Sequence, residues 1–249
     1  MSSAAVAKTF FIGWDVGGWN CDHNRNSRDA LVILDAALRI VGTPWRGNLR
    51  ECIAVATTTG EWIRKLFSLC AASQPEEPMF ATMAIDTPLG FSTEFVDLVT
   101  CRQWTDPLGS SDTNLYLFRQ TERHLFKQGL TPLSAIKDMI GSQATKGIHA
   151  LAKFAPTVES CGVWTDGRML RAIETYPTAC RDSQAVSALS KDHRPLSHSD
   201  LNDAQVCAVV AYLFATDRES LEPPCPNVPD REGWIWVPQN RPLVLEAAP

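Results

Sequence analysis

Five carboxylates in this sequence lie where an apolar segment begins or ends. Asp15 follows the apolar run that starts at residue 10, and Asp86 and Glu174 each end a later apolar run. Asp200 and Asp203 open a helical pattern. Carboxylate oxygens are ligands of hard divalent cations, and two such ions can clamp the attacking and leaving oxygens of a phosphodiester. These residue types predict metal-dependent phosphodiester hydrolysis.

In this interpretation Asp15 bridges two Mg²⁺ or Mn²⁺ ions. Asp86 and Glu174 hold one side of the site, and Asp200 and Asp203 hold the other. Positions i and i+3 of a helix share a face, so the two helical acids can point at the same site. The prediction depends on all five acids converging.

Each acid also has a simpler interpretation. Asp15 precedes Gly-Gly and Asp86 precedes Thr-Pro, so both could be turn residues that bind local backbone N–H groups. Glu174 could be a solvated acid at the end of a strand. Asp200 and Asp203 fit an N-cap and a first-turn acid that favours the helix dipole.

The elements that must position these acids follow from hydrophobic periodicity. The sequence predicts strands at 10–16, 30–34 and 80–85, and 38–41 as a third strand or a continuation of the second. It predicts a hairpin over 163–174 and a short edge strand or strap at 233–237. Helical spacing is present at 61–72, 115–127, 133–154 and 201–216, with a break of the third helix at Gly141 left open. This order indicates an α/β fold with a mixed sheet, in which ligands gather at the carboxyl ends of strands.

Bulk composition is that of an ordinary globular protein. The 249 residues are 45% hydrophobic and 20% charged, with a net charge of −5. The eight cysteines include no C-x-x-C pair, which predicts reduced thiols in a cytoplasmic protein. No apolar run approaches the roughly 20 residues of a membrane span and no signal-peptide pattern is present, so no membrane partner is expected.

The acidic net charge argues against a general nucleic-acid coat protein but not against an enzyme acting on nucleic acid. Arg119, Arg123 and Lys127 recur at helical spacing and could form a stripe that binds phosphates. The alternative is a solvated helix face paired with Glu122. Nucleic acid is the predicted partner, with DNA or RNA and the oligomeric state left open.

Several short motifs occur in an order that resembles an uncharacterised family of predicted nucleases, domain of unknown function 429, placed in the RNase H-like superfamily. The resemblance runs from about residue 10 to 237 and rests on DVGGW at 15–19, AIDTPLG at 84–90, RQTER at 119–123, ETYP at 174–177 and DLNDA at 200–204. The last motif also resembles the final helix of Holliday-junction resolvases of that fold. The resemblance implies a sheet of about five strands with helices on both faces, and metal-dependent hydrolysis at the acid cluster.

The predicted organisation is therefore a single RNase H-like domain over 1–249. A helical insertion covers about 92–168, and a Pro-rich strap covers 222–249. One alternative function is a non-catalytic adaptor that binds nucleic acid or protein through the basic helical region. Another is a phosphotransferase of the sugar-kinase and actin type, which is disfavoured because no second glycine-rich phosphate turn is present.

Overall fold

One open, mixed sheet organises the computed structural model, which describes residues 7–76 and 78–239. Within these residues the sheet has eight strands in the order β3-β2-β1-β4-β7-β6-β5, with β8 beside β7. The strands are β1 (Lys8–Asp15), β2 (Asp29–Asp35), β3 (Trp45–Gly47), β4 (Met79–Asp86), β5 (Thr157–Ser160), β6 (Val163–Thr165), β7 (Leu170–Thr175) and β8 (Ile235–Trp236).

Strand direction brings several acids to one edge of this sheet. β1 runs antiparallel to β2 and parallel to β4, and β4 runs parallel to β7. The carboxyl ends of β1, β4 and β7 therefore meet the amino end of β2. The register pairs Asp15 with Asp86 and Ile85 with Glu174.

Helices cover both faces of the sheet. They are α1 (Arg50–Val55), α2 (Thr59–Leu69), α3 (Thr93–Cys101), α4 (Gln120–Phe126), α5 (Gly141–Phe154), α6 (Pro177–Cys180), α7 (Gln184–Ser190) and α8 (Ser199–Thr216). Apolar side chains of α1, α2 and α5 share a core with one face of β1, and those of α8 share a core with the other face, together with α6 and α7, which pack against α8. The predicted α/β class is confirmed.

Local sequence signals explain where α2 begins. The Thr58 hydroxyl accepts a hydrogen bond from Glu61 N at 3.2 Å, and the Glu61 carboxylate accepts one from Thr57 N at 2.8 Å. These bonds satisfy backbone donors that the first turn of a helix cannot pair internally. The helix predicted at 61–72 is therefore present, although it begins at Thr59 and ends at Leu69.

The structure differs from the predicted elements in three places. The third strand is β3, whereas Ile40 makes a single bridge to Leu34. The helices predicted at 115–127 and 133–154 are shorter, because turns occupy residues 115–117 and 127–129, and α5 begins only at Gly141. The region 92–168 also contains β5 and β6, so it is not wholly helical, and the sheet has more strands than the five expected.

The Pro-rich segment contributes to the core. Trp234 and Trp236 are fully buried, and β8 pairs with the end of β7. This agrees with the short edge strand predicted at 233–237. Residues 240–249 of the predicted strap lie outside the described residues. No described helix combines the length and apolar composition needed to cross a membrane.

The close approach of α8 to β1 depends on a glycine. A Cβ added at Gly13 would lie 1.8 Å from the Ala204 carbonyl oxygen and 2.5 Å from Ala208 N. Both atoms belong to the helix backbone, which cannot move without shifting α8. A residue with no side chain at position 13 therefore sets the distance between this helix and the sheet.

We expect Gly13→Ala to lower the free energy of unfolding by about 2 kcal/mol or more, because overpacking against backbone forces the helix outward. Gly141→Ala is the matched control, since the nearest atom to its added Cβ is 3.9 Å away. That change should be neutral or slightly stabilising at the start of α5. Urea unfolding of both variants measures the difference, and equal stabilities would contradict this account of the packing.

Candidate functional site

Four acids lie in a row at one edge of the sheet, on four neighbouring strands. Asp29 begins β2, Asp15 ends β1, Asp86 ends β4 and Glu174 lies near the end of β7. These four strands are consecutive neighbours in the sheet, in the order β2-β1-β4-β7. Their environments differ, and that difference defines the candidate site.

The outer acid Asp29 is neutralised by a buried lysine. Asp29 and Lys146 are both fully buried and form an ion pair. The Asp29 carboxylate also accepts hydrogen bonds from Trp14 Nε1 at 3.1 Å, Gly17 N at 2.9 Å and Leu49 N at 2.6 Å. Burial raises the pKa of Asp29, and the Lys146 charge and these donors oppose that rise.

The same lysine fixes the turn after Asp15. Lys146 Nζ donates to the carbonyl oxygens of Gly17 and Gly18, both at 3.3 Å, and to Asn48 Oδ1 at 2.9 Å. Sequence reasoning did not identify Asp29 or Lys146 as site residues. Asp29 is a single acid before an apolar run and Lys146 is a single lysine in a helical segment, and nothing in the sequence indicates that the two are in contact.

The outer acid at the other end, Glu174, is neutralised by a buried arginine. Arg119 Nη1 and Nη2 donate to its two carboxylate oxygens at 2.8 and 2.6 Å, and Leu89 N donates at 2.8 Å. Arg119 and Glu174 are each 2% exposed. Glu174 was predicted as a catalytic acid that holds one side of the site, but here its carboxylate forms a bidentate pair with a guanidinium.

Arg119 has further partners that hold it in the interior. Its Nε donates to Glu122 Oε1 at 2.8 Å, and its Nη1 donates to the Glu232 carbonyl oxygen at 2.9 Å. Burial lowers the pKa of Arg119, but the charges of Glu122 and Glu174 outweigh burial and raise the pKa above its usual value. Arg119 is therefore inaccessible to phosphates, which corrects its predicted place in a surface stripe.

The remaining members of that stripe do not form a continuous basic surface. Arg123 is half-buried, and its Nε donates to the Arg119 carbonyl oxygen at 3.4 Å. Lys127 is exposed just after α4. Of the predicted nucleic-acid contacts, Lys127 is exposed, Arg123 is half-buried and Arg119 is buried.

The two inner acids of the row have no ion-pair partner among the described residues. Asp15 and Asp86 are half-buried neighbours, and the part of the chain that the structure describes gives neither carboxylate a hydrogen bond or an ion pair. Both line one cavity of about 470 Å³, together with Thr87, Gln143, Tyr176 and the arginine-paired Glu174. This pair is the centre of the candidate site.

Burial and mutual repulsion affect the protonation of this pair. Burial raises the pKa of Asp15 well above its usual value, and the charges of Asp86, Asp200, Asp203 and Asp29 add to that rise. Burial also raises the pKa of Asp86 to about 8, with further contributions from Asp203 and Glu174 and an opposing one from Arg181. The cavity therefore favours a proton or another positive charge at these carboxylates.

A hydroxyl beside the pair is also without a partner. Thr87 is 5% exposed, and within residues 7–76 and 78–239 no group forms a hydrogen bond with its Oγ1. Its methyl group packs near Gly147, where an added Cβ would lie 2.6 Å from Thr87 Cγ2. Because a buried hydroxyl normally has a hydrogen-bond partner, Thr87 is a candidate ligand contact in this cavity.

The two helical acids have arginine partners. Asp200 Oδ2 accepts hydrogen bonds from Arg46 Nε at 2.7 Å and from Arg28 N at 3.0 Å. Asp203 Oδ1 accepts one from Arg181 Nη2 at 2.6 Å. Burial raises the pKa of Asp203, the Arg181 charge lowers it and the Asp200 charge raises it. These acids interact electrostatically with the inner pair, but both are engaged in ion pairs, unlike the open ligands that were predicted.

The residues present fit a divalent cation only in part. Among the described residues, no group of three or more His, Cys, Asp or Glu side chains is arranged to hold a metal ion. Mg²⁺ is often bound through one or two carboxylates, with water and substrate oxygens completing the shell. Asp15 and Asp86 fit such a site. Glu174, Asp200 and Asp203 do not fit it with their present arginine partners.

Comparison of the chain with protein-family models, curated proteins and solved structures finds no match. The resemblance noted in the sequence remains an expectation.

We expect Glu174→Gln to lower the free energy of unfolding by about 3–5 kcal/mol, because it leaves the buried Arg119 with one carboxylate fewer. The control is Glu159→Gln, which breaks the exposed Arg171 pair of 2.8 Å and should cost less than about 1 kcal/mol. Urea unfolding measures both changes. A small effect at Glu174 would show that the Arg119 pair is not a structural requirement.

The raised pKa of Asp86 predicts a pH-dependent stability. The folded protein keeps this proton up to about pH 8, whereas the usual value is 3.8. Between these values the folded state binds more protons than the unfolded state, so this group's contribution makes stability fall as pH rises.

We expect Asp86→Asn to remove that part of the pH dependence. Between about pH 5 and pH 8 the wild type should lose at least about 1.4 kcal/mol more than the variant, the equivalent of one pKa unit. Asp182→Asn changes an exposed acid and should follow the wild type. Urea unfolding at both pH values, without divalent cations, makes the comparison, and parallel curves for Asp86→Asn would contradict the assignment.

Proposed function

We propose that the protein is a metal-dependent nuclease that hydrolyses phosphodiester bonds of DNA or RNA at the Asp15–Asp86 pair. The observation that carries this proposal is the contrast within the row of four acids. The outer two are neutralised by Lys146 and Arg119, whereas the inner two have no ion-pair partner among residues 7–76 and 78–239. Such a pair is suited to a cation that arrives with a substrate.

The topology supports an RNase H-like version of this proposal. The strand order β3-β2-β1-β4-β7 joins an antiparallel set to parallel neighbours of β1, and α8 packs across these strands. The acids lie at the carboxyl ends of the central strands, where open α/β sheets bind their ligands. This arrangement agrees with the fold that the sequence motifs imply.

Asp15 and Asp86 would hold Mg²⁺ or Mn²⁺ in this site. When bound, such an ion neutralises phosphate charge and lowers the pKa of a coordinated water. The protein's own part is to keep the two carboxylates adjacent through the register of β1 and β4 and to fix the Gly17–Gly18 turn through Lys146. Thr87 also lines the cavity, and rotation of its side chain would let the buried hydroxyl hydrogen-bond a substrate oxygen.

The arginine pairs near the site can exchange partners. Arg181 is 46% exposed in its pair with Asp203, so its guanidinium can move toward a phosphate at low cost. Arg46 is 17% exposed in its pair with Asp200. In the proposed mechanism the release of Arg181 gives Asp203 access to the site, and Glu174 stays with Arg119 as a structural residue.

The same ion pairs favour a second candidate, a non-catalytic adaptor that binds nucleic acid or protein. An adaptor needs no open acid set, and three of the five predicted catalytic acids are paired with arginine. This candidate predicts that metal chelators do not affect the binding of nucleic acid or of a partner protein. It leaves unexplained why Asp15 and Asp86 are not paired.

We expect Mn²⁺ to bind the wild type in titration calorimetry and Asp15→Asn and Asp86→Asn to weaken binding at least about tenfold, because each removes one of two carboxylates. Asp182→Asn, at an exposed acid, should bind like the wild type. Cleavage of labelled single-stranded DNA, duplex DNA and RNA should fall by about 100-fold or more in both site variants.

Variants purified by the same procedure control for contaminating nucleases. Cleavage that survives in Asp15→Asn would contradict the proposal. Nucleic-acid binding without Mn²⁺ affinity or cleavage would support the adaptor instead.

A further inference from the structure

Cys225, His124 and Glu222 form a hydrogen-bonded chain outside the cavity of Asp15 and Asp86. Cys225 Sγ lies 3.3 Å from His124 Nδ1, and His124 Nε2 lies 2.5 Å from Glu222 Oε1. A thiol, an imidazole and a carboxylate in this order have the geometry of an activated nucleophile, with a base that a third group orients.

Neighbouring side chains fix the orientation of His124. The imidazole lies against the Trp234 ring with 5.2 Å between centroids, and Trp234 Nε1 donates to the Glu222 carbonyl oxygen at 2.9 Å. The Gln128 amide donates to Glu222 Oε1 at 2.6 Å. His124 belongs to α4, whereas Glu222 and Cys225 lie in the segment before β8, so tertiary structure assembles the chain.

The carboxylate determines which imidazole nitrogen can act as the base. A carboxylate only accepts hydrogen bonds, so at 2.5 Å His124 Nε2 carries the proton that points at Glu222. The Gln128 amide nitrogen lies 2.9 Å from Nε2 and makes its shorter contact, 2.6 Å, with Glu222. Nδ1 is then the acceptor that faces the thiol. Transfer of the S–H proton to Nδ1 leaves a thiolate next to an imidazolium, which Glu222 stabilises from the other side.

We propose that Cys225 is a nucleophilic thiol that hydroperoxides convert to a sulfenic acid. The thiolate sulfur attacks one peroxide oxygen, so an S–O bond forms and the O–O bond breaks. The leaving oxygen takes the proton from His124 Nδ1 and departs as water or an alcohol. Cysteine is oxidised by two electrons, and the peroxide is reduced by two.

The flanking residues favour a peroxide over an acyl substrate. Cys225 lies between Pro224 and Pro226, and neither proline has a backbone N–H. Acyl transfer requires donors for an oxyanion, and the N–H of the residue after the nucleophile often supplies one. Pro226 also prevents cyclisation of the sulfenic acid onto the next backbone nitrogen, so the oxidised thiol remains available to a second thiol.

Cys161 provides an internal comparison. It has the same intermediate exposure as Cys225, but its Sγ lies 3.7 Å from the Gly233 carbonyl oxygen and faces no histidine. Burial raises the pKa of Cys161 to about 11, and nearby acids add to the rise. Cys101 is exposed, so it serves as a second comparison, which shows how fast a cysteine reacts when solvent exposure alone favours the reaction.

The test measures the reaction of each cysteine by mass spectrometry, with iodoacetamide and with hydrogen peroxide followed by dimedone, at neutral pH. We expect Cys225 of the wild type to react at least about tenfold faster than Cys161, because a positioned base assists it. His124→Gln should reduce the rate at Cys225 to that of Cys161 and leave Cys161 and Cys101 unchanged.

Equal rates at Cys225 and Cys161 in the wild type would overturn the proposal without any variant. The proposal would also be overturned if Cys225 reacted equally fast in the wild type and in His124→Gln, provided that thermal unfolding shows the variant to be folded. Because Asp15 and Asp86 do not take part in this reaction, the result is independent of the nuclease proposal.

Discussion

The parallel register of β1 and β4 is the constraint on which the candidate site depends. It places Asp15 and Asp86 side by side at one edge of the sheet, and the neighbouring strands extend this row with Asp29 and Glu174. Four adjacent carboxylates repel one another in a partly buried setting. The fold offsets that repulsion at both ends of the row and leaves it at the centre.

The two neutralising residues also connect distant parts of the chain. Lys146 of α5 binds the Gly17–Gly18 turn and Asn48. On the other side, Arg119 joins β7 to the start of α4 and to the Glu232 carbonyl oxygen. The Glu232 carboxylate accepts hydrogen bonds from Thr93 N at 2.9 Å and Gln120 N at 2.7 Å. The middle region and the Pro-rich segment are thus tied to the edge that carries the acids.

Local sequence signals predicted the strand ends well, and long-range pairing limited the rest. An apolar run that ends in an acid and is followed by Gly-Gly or Thr-Pro identified β1 and β4 with Asp15 and Asp86 at their ends. Nothing local reveals that Arg119, 55 residues away, occupies Glu174, or that Lys146, 117 residues away, occupies Asp29. The helical spacing that suggested a surface stripe at 119–127 likewise could not show that Arg119 turns inward.

The selective neutralisation of the outer acids is the observation on which the proposed cation site rests. Burying an acid without a partner is unfavourable, and this chain removes that cost at Asp29 and Glu174 with buried cations. An acid pair that served only the fold could be replaced by neutral residues of similar size at a gain in stability. Among the described residues, Asp15 and Asp86 instead lie side by side at the cavity without an ion-pair partner, which is the arrangement that the proposed cation site requires.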